Sequence, residues 1–536
     1  MFDFLLLALN FFSLKFLNLV APMSRSYMFN DRTQENRRTQ REEAQVELRQ
    51  TKREELLNKK RNLSVAASMI TNFSEMSEKL YSNDLAMIHQ GAYEFRSLLS
   101  VEGNPPVQAV IDAGCLQRFV EIMNNDLLVQ LRGPEHTDDL IDKIRVEAAW
   151  VITNIAAGTT EQTRAVIQAG ALERLIGMLY EANEIIIDQS VWALGNIAGD
   201  SESFRDQILN TGALEIIVAL LDKYYTSEGH IKLVRNLTWL LSNLNRGRQP
   251  PPSAENMKMA LPILFQLIAH KDAEIVCDTF WAISYIVDVD AGCTDIVLGS
   301  NIMSRAYNCL EAYTCKLNNQ RHESEDARIG AVSISPIIRM LGNIATGSDN
   351  QTNVIVRMGF LNFFTTLFYK VDNKKASRLR KELCWTVSNI TAGPSEQVKA
   401  VFEAGIMEML IDAVHTYENF IRKKATWALS NALYHCATHY EWIKPLIDSS
   451  MIEALMSYLE IAGNLPEMQS HILDCIRYAL EGGRLYEKKF GRNIVVDKIL
   501  DLDVLHDIES LQDIEAGDVS SKAYNIIVEY FEGIDN

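Results

Sequence analysis

Apolar residues recur at helical spacing along most of the chain, and one helical phrase returns again and again. It reads EAAWVITNIAAG around Trp150, QSVWALGNIAGD around Trp192, NLTWLLSNLNRG around Trp239 and DTFWAISYIVD around Trp281. It continues as IIRMLGNIATG around Arg339, ELCWTVSNITAG around Trp385 and KATWALSNALYH around Trp427. Most successive copies lie 42 to 47 residues apart, the period of armadillo and HEAT arrays. The longer step from Trp281 to Arg339 is accounted for by a polar stretch, KLNNQRHESED from Lys316 to Asp326, which reads as a surface loop. Between phrases the chain passes through IDAG, IQAG, LNTG, VRMG and FEAG, ending at Gly114, Gly170, Gly212, Gly359 and Gly405. Glycine there suits the left-handed residue that ends one helix just before the next begins. Each repeat therefore reads as helix, Gly turn, helix, with no sustained strand alternation. Asn104-Pro105-Pro106 and Pro250-Pro251-Pro252 fall between helices, where a missing N–H costs nothing. A single repeat cannot bury its own apolar faces, so the copies are expected to stack into an all-α, armadillo-type, right-handed superhelical solenoid of about ten repeats with a long concave surface.

Composition sharpens this picture. At 536 residues the chain exceeds one compact core, which an extended array resolves. The eight cysteines sit in apolar stretches without a C-x-x-C pair, which fits a reducing compartment, cytosol or nucleus. A net charge of −18 opposes direct nucleic-acid binding and favours a cationic partner. From Arg32 to Arg61 the sign reverses, with ten basic and six acidic residues giving +4 and leaving −22 on the remainder. A basic arm tethered to an acidic body can fold back on it. The apolar run from Met1 to Pro22 has three readings: an upstream extension with the start at Met23 or Met28, a membrane or interfacial anchor, or an extra buried helix.

The chemistry lies in the repeated phrase. Trp and Asn stand four residues apart at Trp150/Asn154, Trp192/Asn196, Trp239/Asn243, Trp385/Asn389 and Trp427/Asn431, which places them on one helical face. In one reading Trp is core and Asn bridges neighbouring repeats. In the other, both project into the concave face, because an Asn repeated in an apolar interior needs a partner every time. A row of carboxamides can hold an extended peptide backbone without demanding its sequence, and slots between Trp rings suit Lys or Arg stems through cation–π attraction of about 0.5–2 kcal/mol. Carboxylates accompany the ladder: Asp200 ends the Trp192 helix, Asp278 and Asp288 flank Trp281, Asp349 follows Asn343, and Glu382 precedes Trp385. No Walker loop, G-x-S-x-G elbow, H-E-x-x-H or dinucleotide fingerprint occurs. His435, Cys436 and His439 share one turn without further ligands, so neither a metal, a cofactor nor an enzymatic activity is expected.

The ladder closely resembles the importin alpha (karyopherin alpha) family, including the order in which it breaks, with Tyr285 in place of Asn and Arg339 in place of Trp. NLNRGRQPPP, WALGNIAGD, WAISYIVD and LGNIATGSDNQT are similar to family phrases, and the resemblance spans about residues 32 to 531. It implies a nuclear import adaptor. Trp150, Asn154, Trp192, Asn196, Trp239 and Asn243 would form the major groove for lysine-rich nuclear localisation signals, with Asp278 nearby and with Gly158, Thr163 and Asp200 gripping the key lysine. Trp281, Arg339, Asn343, Asp349, Glu382, Trp385, Asn389, Trp427 and Asn431 would form or border the minor groove for the second half of bipartite signals. Lys424, within Arg422-Lys423-Lys424, stands where many members carry Glu, which weighs against cationic cargo there.

The segment REEAQVELRQTKREELLNKKRNL resembles the importin-beta-binding helix, and Lys59, Lys60 and Arg61 resemble the internal signal mimic that fills the groove when importin beta is absent. Glu509 to Phe531 resembles the last repeat, which members present to a recycling exportin. The implied partners are importin beta, cargo with basic signals and that exportin, with no nucleic acid and no small-molecule substrate. Shuttling between cytoplasm and nucleus follows, with nuclear pore association in transit. The domains read as an apolar extension 1–31, a basic arm 32–63, a linker 64–80, armadillo repeats 81–503, and a C-terminal repeat and tail 504–536. The rival reading is an armadillo scaffold for another extended partner; a groove for acidic partners would be lined with Lys and Arg.

Overall fold

The computed structural model describes residues 73–532, apart from 102–104, 132–136, 320–323, 373–375, 464 and 515–516. The apolar run 1–22, the arm 32–63 with Lys59, Lys60 and Arg61, and most of the linker lie outside the described residues. Every regular element among the described residues is helical, and no helix there is long and apolar enough to cross a membrane. Two compact units divide the chain: in described residues, the first holds 73–313 and 324–340, the second 314–319 and 341–532.

Within each unit the Trp-bearing helices are the spine. In the first they run Asp138–Ala156, Glu184–Asp200, Ile231–Leu244 and Ala273–Val289, each packed against the next. In the second, Ala376–Thr391 packs on Asn419–Tyr434 in the same way, and Pro466–Phe490, which carries no Trp, packs on the latter to continue the row. A helix packed on both sides is buried nearly all round: Gln189 through Gly199 form an unbroken buried run, as do Ala148 through Ala156.

Sequence periodicity suggests two helices per repeat, whereas three are present. Glu184–Asp200 is preceded by Thr160–Gln168 and Ala171–Met178, with Gly170 between those two at φ 81°. The expected Gly turns at Gly114, Gly212, Gly359 and Gly405 adopt the same left-handed conformation. The additional break falls where the ladder-bearing helix ends and a capping residue restarts the chain. Thr159 and Gln162 close a capping box, Ser348 and Gln351 another, and Ser201 accepts from the Phe204 N–H. Ser450 occupies the turn position of a later repeat at φ 61° without a glycine to announce it.

The polar stretch 316–326 is a loop only at its centre. One helix continues through Asn301–Leu317 and the next starts at Glu325, with Glu325 and Asp326 in its first turn, where carboxylates suit the positive helix end. Two buried arginines tie turns to spine. Arg145 donates from Nε to the Met123 carbonyl at 3.1 Å and from Nη2 to Glu181 at 2.5 Å. Fully buried Arg205 donates to the carbonyls of Arg246 and Pro250, which fixes the NRGRQPPP segment around left-handed Gly247.

Burial holds the imidazoles of His435 and His471 in the second unit below their ordinary value. A histidine that stays neutral in the fold but charges in the unfolded chain lends stability above the unfolded pKa and loses it as pH falls through that value towards the folded one. Thermal melts between about pH 7 and about pH 5, bracketing the ordinary value near 6.5, are expected to show falling stability on acidification. The slope should be shallower in His471→Gln, and an unchanged slope would contradict the assignment.

Candidate functional site

Four of the ladder asparagines make the same bond. Asn196 Nδ2 donates to the Thr153 carbonyl at 3.0 Å, Asn243 to Gly195 at 3.1 Å, Asn389 to Gly342 at 2.9 Å and Asn431 to Ser388 at 3.0 Å. The acceptor is in each case a carbonyl of the preceding spine helix, and at the array's start Asn154 reaches the Ser100 hydroxyl at 3.3 Å. An interior asparagine thus does find a partner every time, contrary to the premise that favoured a purely groove-facing role. One N–H is committed to registering neighbouring repeats, and the rest of the amide's capacity is what a peptide could use.

The indoles are equally engaged in packing. Trp150, Trp192 and Trp239 are 9%, 6% and 7% exposed and form one cluster. Trp239 lies on Gly195: a methyl placed there would sit 2.1 Å from Trp239 Cζ3. Trp385 lies on Gly342 in the same way, at 2.3 Å. Sequence reasoning missed these glycines, although a small residue precedes every ladder Asn, as in Thr153, Ser242, Ser388 and Ser430. The rings of Trp150 and Trp192 are 6.2 Å apart at 52°. A methylene stem between two rings needs about 7–8 Å, two contacts of 3.5–4.0 Å. The slot expected between this pair is therefore closed as the rings stand. Arg96, from the helix Leu85–Leu99, lies 4.7 Å over Trp150 and bonds Glu147 at 2.7 Å, a cap that no local pattern signals.

Polar groups gather at the end of the Trp192 helix. Asp200 Oδ1 lies 3.5 Å from the hydroxyl oxygen of buried Thr163, whose single proton also has the carbonyls of Ala156 and Thr159 in reach as acceptors, each at 3.2 Å. Gly158 neighbours this corner, and its lack of a side chain makes room for Gln162 of the capping box, whose Oε1 would meet a Cβ at 2.0 Å. Arg246 donates to the Gly199 carbonyl at 2.6 Å. Asp278 is half-buried three residues before Trp281, while Asp288 is bound by Arg248 at 2.8 Å.

Among the remaining expected residues, Trp281 stacks on Tyr285 with centroids 5.9 Å apart, and half-buried Arg339 belongs to the same unit. Asn343, Asp349, Glu382, Trp385, Asn389, Trp427 and Asn431 belong to the second. Glu382 and Asn343 are buried, Asp349 is exposed in a first helical turn, and Trp385, Trp427 and Asn431 are half-buried. Cys436 is fully buried and its thiol is pushed well above the ordinary range, which disfavours the thiolate a metal requires. No group of three metal-competent side chains converges among the described residues.

The Importin beta binding domain family matches residues 25–96, and the Armadillo/beta-catenin-like repeat matches residues 159–199. Importin subunit alpha-4 of Arabidopsis thaliana is 34% identical over 517 residues, covering 92% of this chain and 88% of that protein. The chain belongs to the importin alpha family. A rice importin subunit alpha-1a is likewise 34% identical, over 72% of this importin alpha and 68% of its own length. An importin subunit alpha-B from Dictyostelium discoideum is 37% identical over 58% of this chain and 56% of its own. An engineered protein of known crystal structure aligns with a TM-score of 0.65 over 86% of this chain and 98% of its own, at 20% identity, a likeness of fold alone. The all-α armadillo architecture expected from the repeat is the one present.

Proposed function

We propose that this importin alpha is a nuclear import adaptor that seats lysine-rich localisation signals along the Trp150 to Asn243 ladder. The observation that carries the reading is the corner at Asp200, where a carboxylate, a buried hydroxyl and helix-end carbonyls meet beside a run of indoles and carboxamides. An ammonium there gains a charge-assisted bond, while its stem lies along exposed indole edges rather than between the touching rings of Trp150 and Trp192. The second ladder set, Asn343, Asp349, Glu382, Trp385, Asn389, Trp427 and Asn431 of the second unit, is proposed to repeat the indole, carboxamide and carboxylate chemistry of the first, with Lys424 at its last Trp setting what it accepts, and Trp281, Tyr285 and Arg339 of the first unit are proposed to interrupt the two sets. The match over residues 25–96 supports docking on importin beta, and the match to the family supports shuttling between cytoplasm and nucleus. Association with the pore in transit, recycling by an exportin through residues 504–536, and the division into arm 32–63, linker 64–80 and repeats 81–503 belong to the same proposal. A net charge of −18 supports cationic protein segments, rather than nucleic acid, as partners.

The arm supplies the test. Replacing Lys59, Lys60 and Arg61 together by Ala in the full chain removes the basic cluster proposed to compete with cargo. Affinity for a lysine-rich peptide, read by fluorescence anisotropy, is expected to rise roughly tenfold or more, the fraction of binding-competent chains being what the arm limits. Unchanged affinity rules out autoinhibition by these residues, and no binding by either chain refutes the adaptor reading.

A further inference from the structure

The last Trp of the ladder is already occupied by the chain itself. Lys424 Nζ lies 3.9 Å from the centroid of Trp427 and Lys423 Nζ 5.1 Å from it. Both lysines belong to the same helix, Asn419–Tyr434, three and four residues before the indole, so helical geometry delivers them to its face. Lys423 is further held by Glu467 at 3.0 Å. His471 closes against Trp427 edge-on, with centroids 5.7 Å apart.

The register makes the sign informative. Three residues before the ladder Trp stand Glu147, Gln189, Asn236, Asp278 and Glu382 in the other copies, all acidic or amide. At Trp427 the same position is Lys424. A cargo ammonium approaching this indole therefore meets a tethered ammonium on the ring, and finds a positive charge where another rung offers a carboxylate. The tethered group competes at the effective concentration of an intramolecular ligand, and the like charge repels what it does not displace.

We infer that Lys424, assisted by Lys423, closes the Trp427 rung to cationic side chains and makes this chain selective for signals with a single basic cluster. Lys424 is thus a specificity-determining residue, and the inference rests on the adaptor reading above. Residues of the first unit, Trp150 to Asn243, carry cargo recognition, and a second basic cluster adds nothing at Trp427.

Two synthetic peptides test this on the full chain: one lysine cluster alone, and the same cluster joined by a flexible linker to a second Lys-Arg pair. In the unmodified chain the second pair is expected to change affinity less than about twofold. In Lys424→Glu it is expected to improve affinity about tenfold or more, with single-cluster binding unchanged. Lys424→Arg, which keeps a cation over the ring, should behave as the unmodified chain does. Tenfold gain from the second pair in the unmodified chain, or none in Lys424→Glu, overturns the inference while leaving the adaptor reading intact. Failure of the single-cluster peptide to bind, in the unmodified chain and in the triple arm variant alike, overturns the adaptor reading and this inference with it.

Discussion

Asp200→Lys is expected to abolish binding of a lysine-rich peptide while leaving the fold intact. Asp200 is the final residue of the helix Glu184–Asp200, where aligned carbonyls make a carboxylate unwelcome and a cation welcome by about 0.3–1 kcal/mol. Local helix preference thus does not explain the aspartate, and lysine in its place suits the helix end. What changes is the corner facing Thr163, whose hydroxyl lies 3.5 Å from the carboxylate. Losing a partly desolvated charge partner costs about 2–5 kcal/mol, roughly 30-fold to several thousandfold in affinity, before repulsion is added. Calorimetric titration of the peptide, with thermal melts as control, provides the check. Affinity within threefold of the unmodified chain would show that the ammonium sits elsewhere.

The second large effect is expected at Gly195. A Cβ there would lie 2.1, 2.6 and 2.9 Å from Cζ3, Cε3 and Cη2 of Trp239, whose ring is buried and has little freedom to retreat. Overpacking of this kind costs about 1–3 kcal/mol. The same residue's carbonyl receives the Asn243 amide at 3.1 Å, so displacing the ring also disturbs the bond that registers the two repeats. Gly195→Ala should lower the melting temperature and weaken peptide binding about tenfold, whereas Gly177→Ala, where an added methyl meets nothing within 4 Å, should do neither. Equal behaviour of the two variants would show that Trp239 does not depend on its glycine seat.

Electrostatics at the two ends of the ladder differ in a way that no inspection of Trp and Asn alone reveals. Trp150 is capped by an arginine from another helix, Trp427 by lysines of its own. Lys424 was visible in the sequence as a departure from pattern, because its three-residue offset to Trp427 is local. The Arg96 cap was not, since it joins residues from separate helices and carries no periodic signature.

The amino-acid order by itself determined the repeat, the helical class, the left-handed turns at Gly114, Gly170, Gly212, Gly359 and Gly405, and the shared face of each Trp and Asn. All of these follow from spacings of a few residues, which backbone geometry converts directly into position. Tertiary structure decided what those side chains meet: the carbonyl 43 residues away that takes the Asn196 amide, the 6.2 Å approach that shuts Trp150 against Trp192, and the glycine seats of Trp239 and Trp385. Contacts between successive repeats depend on how closely two helices pack, and that distance is set by all the side chains between them at once.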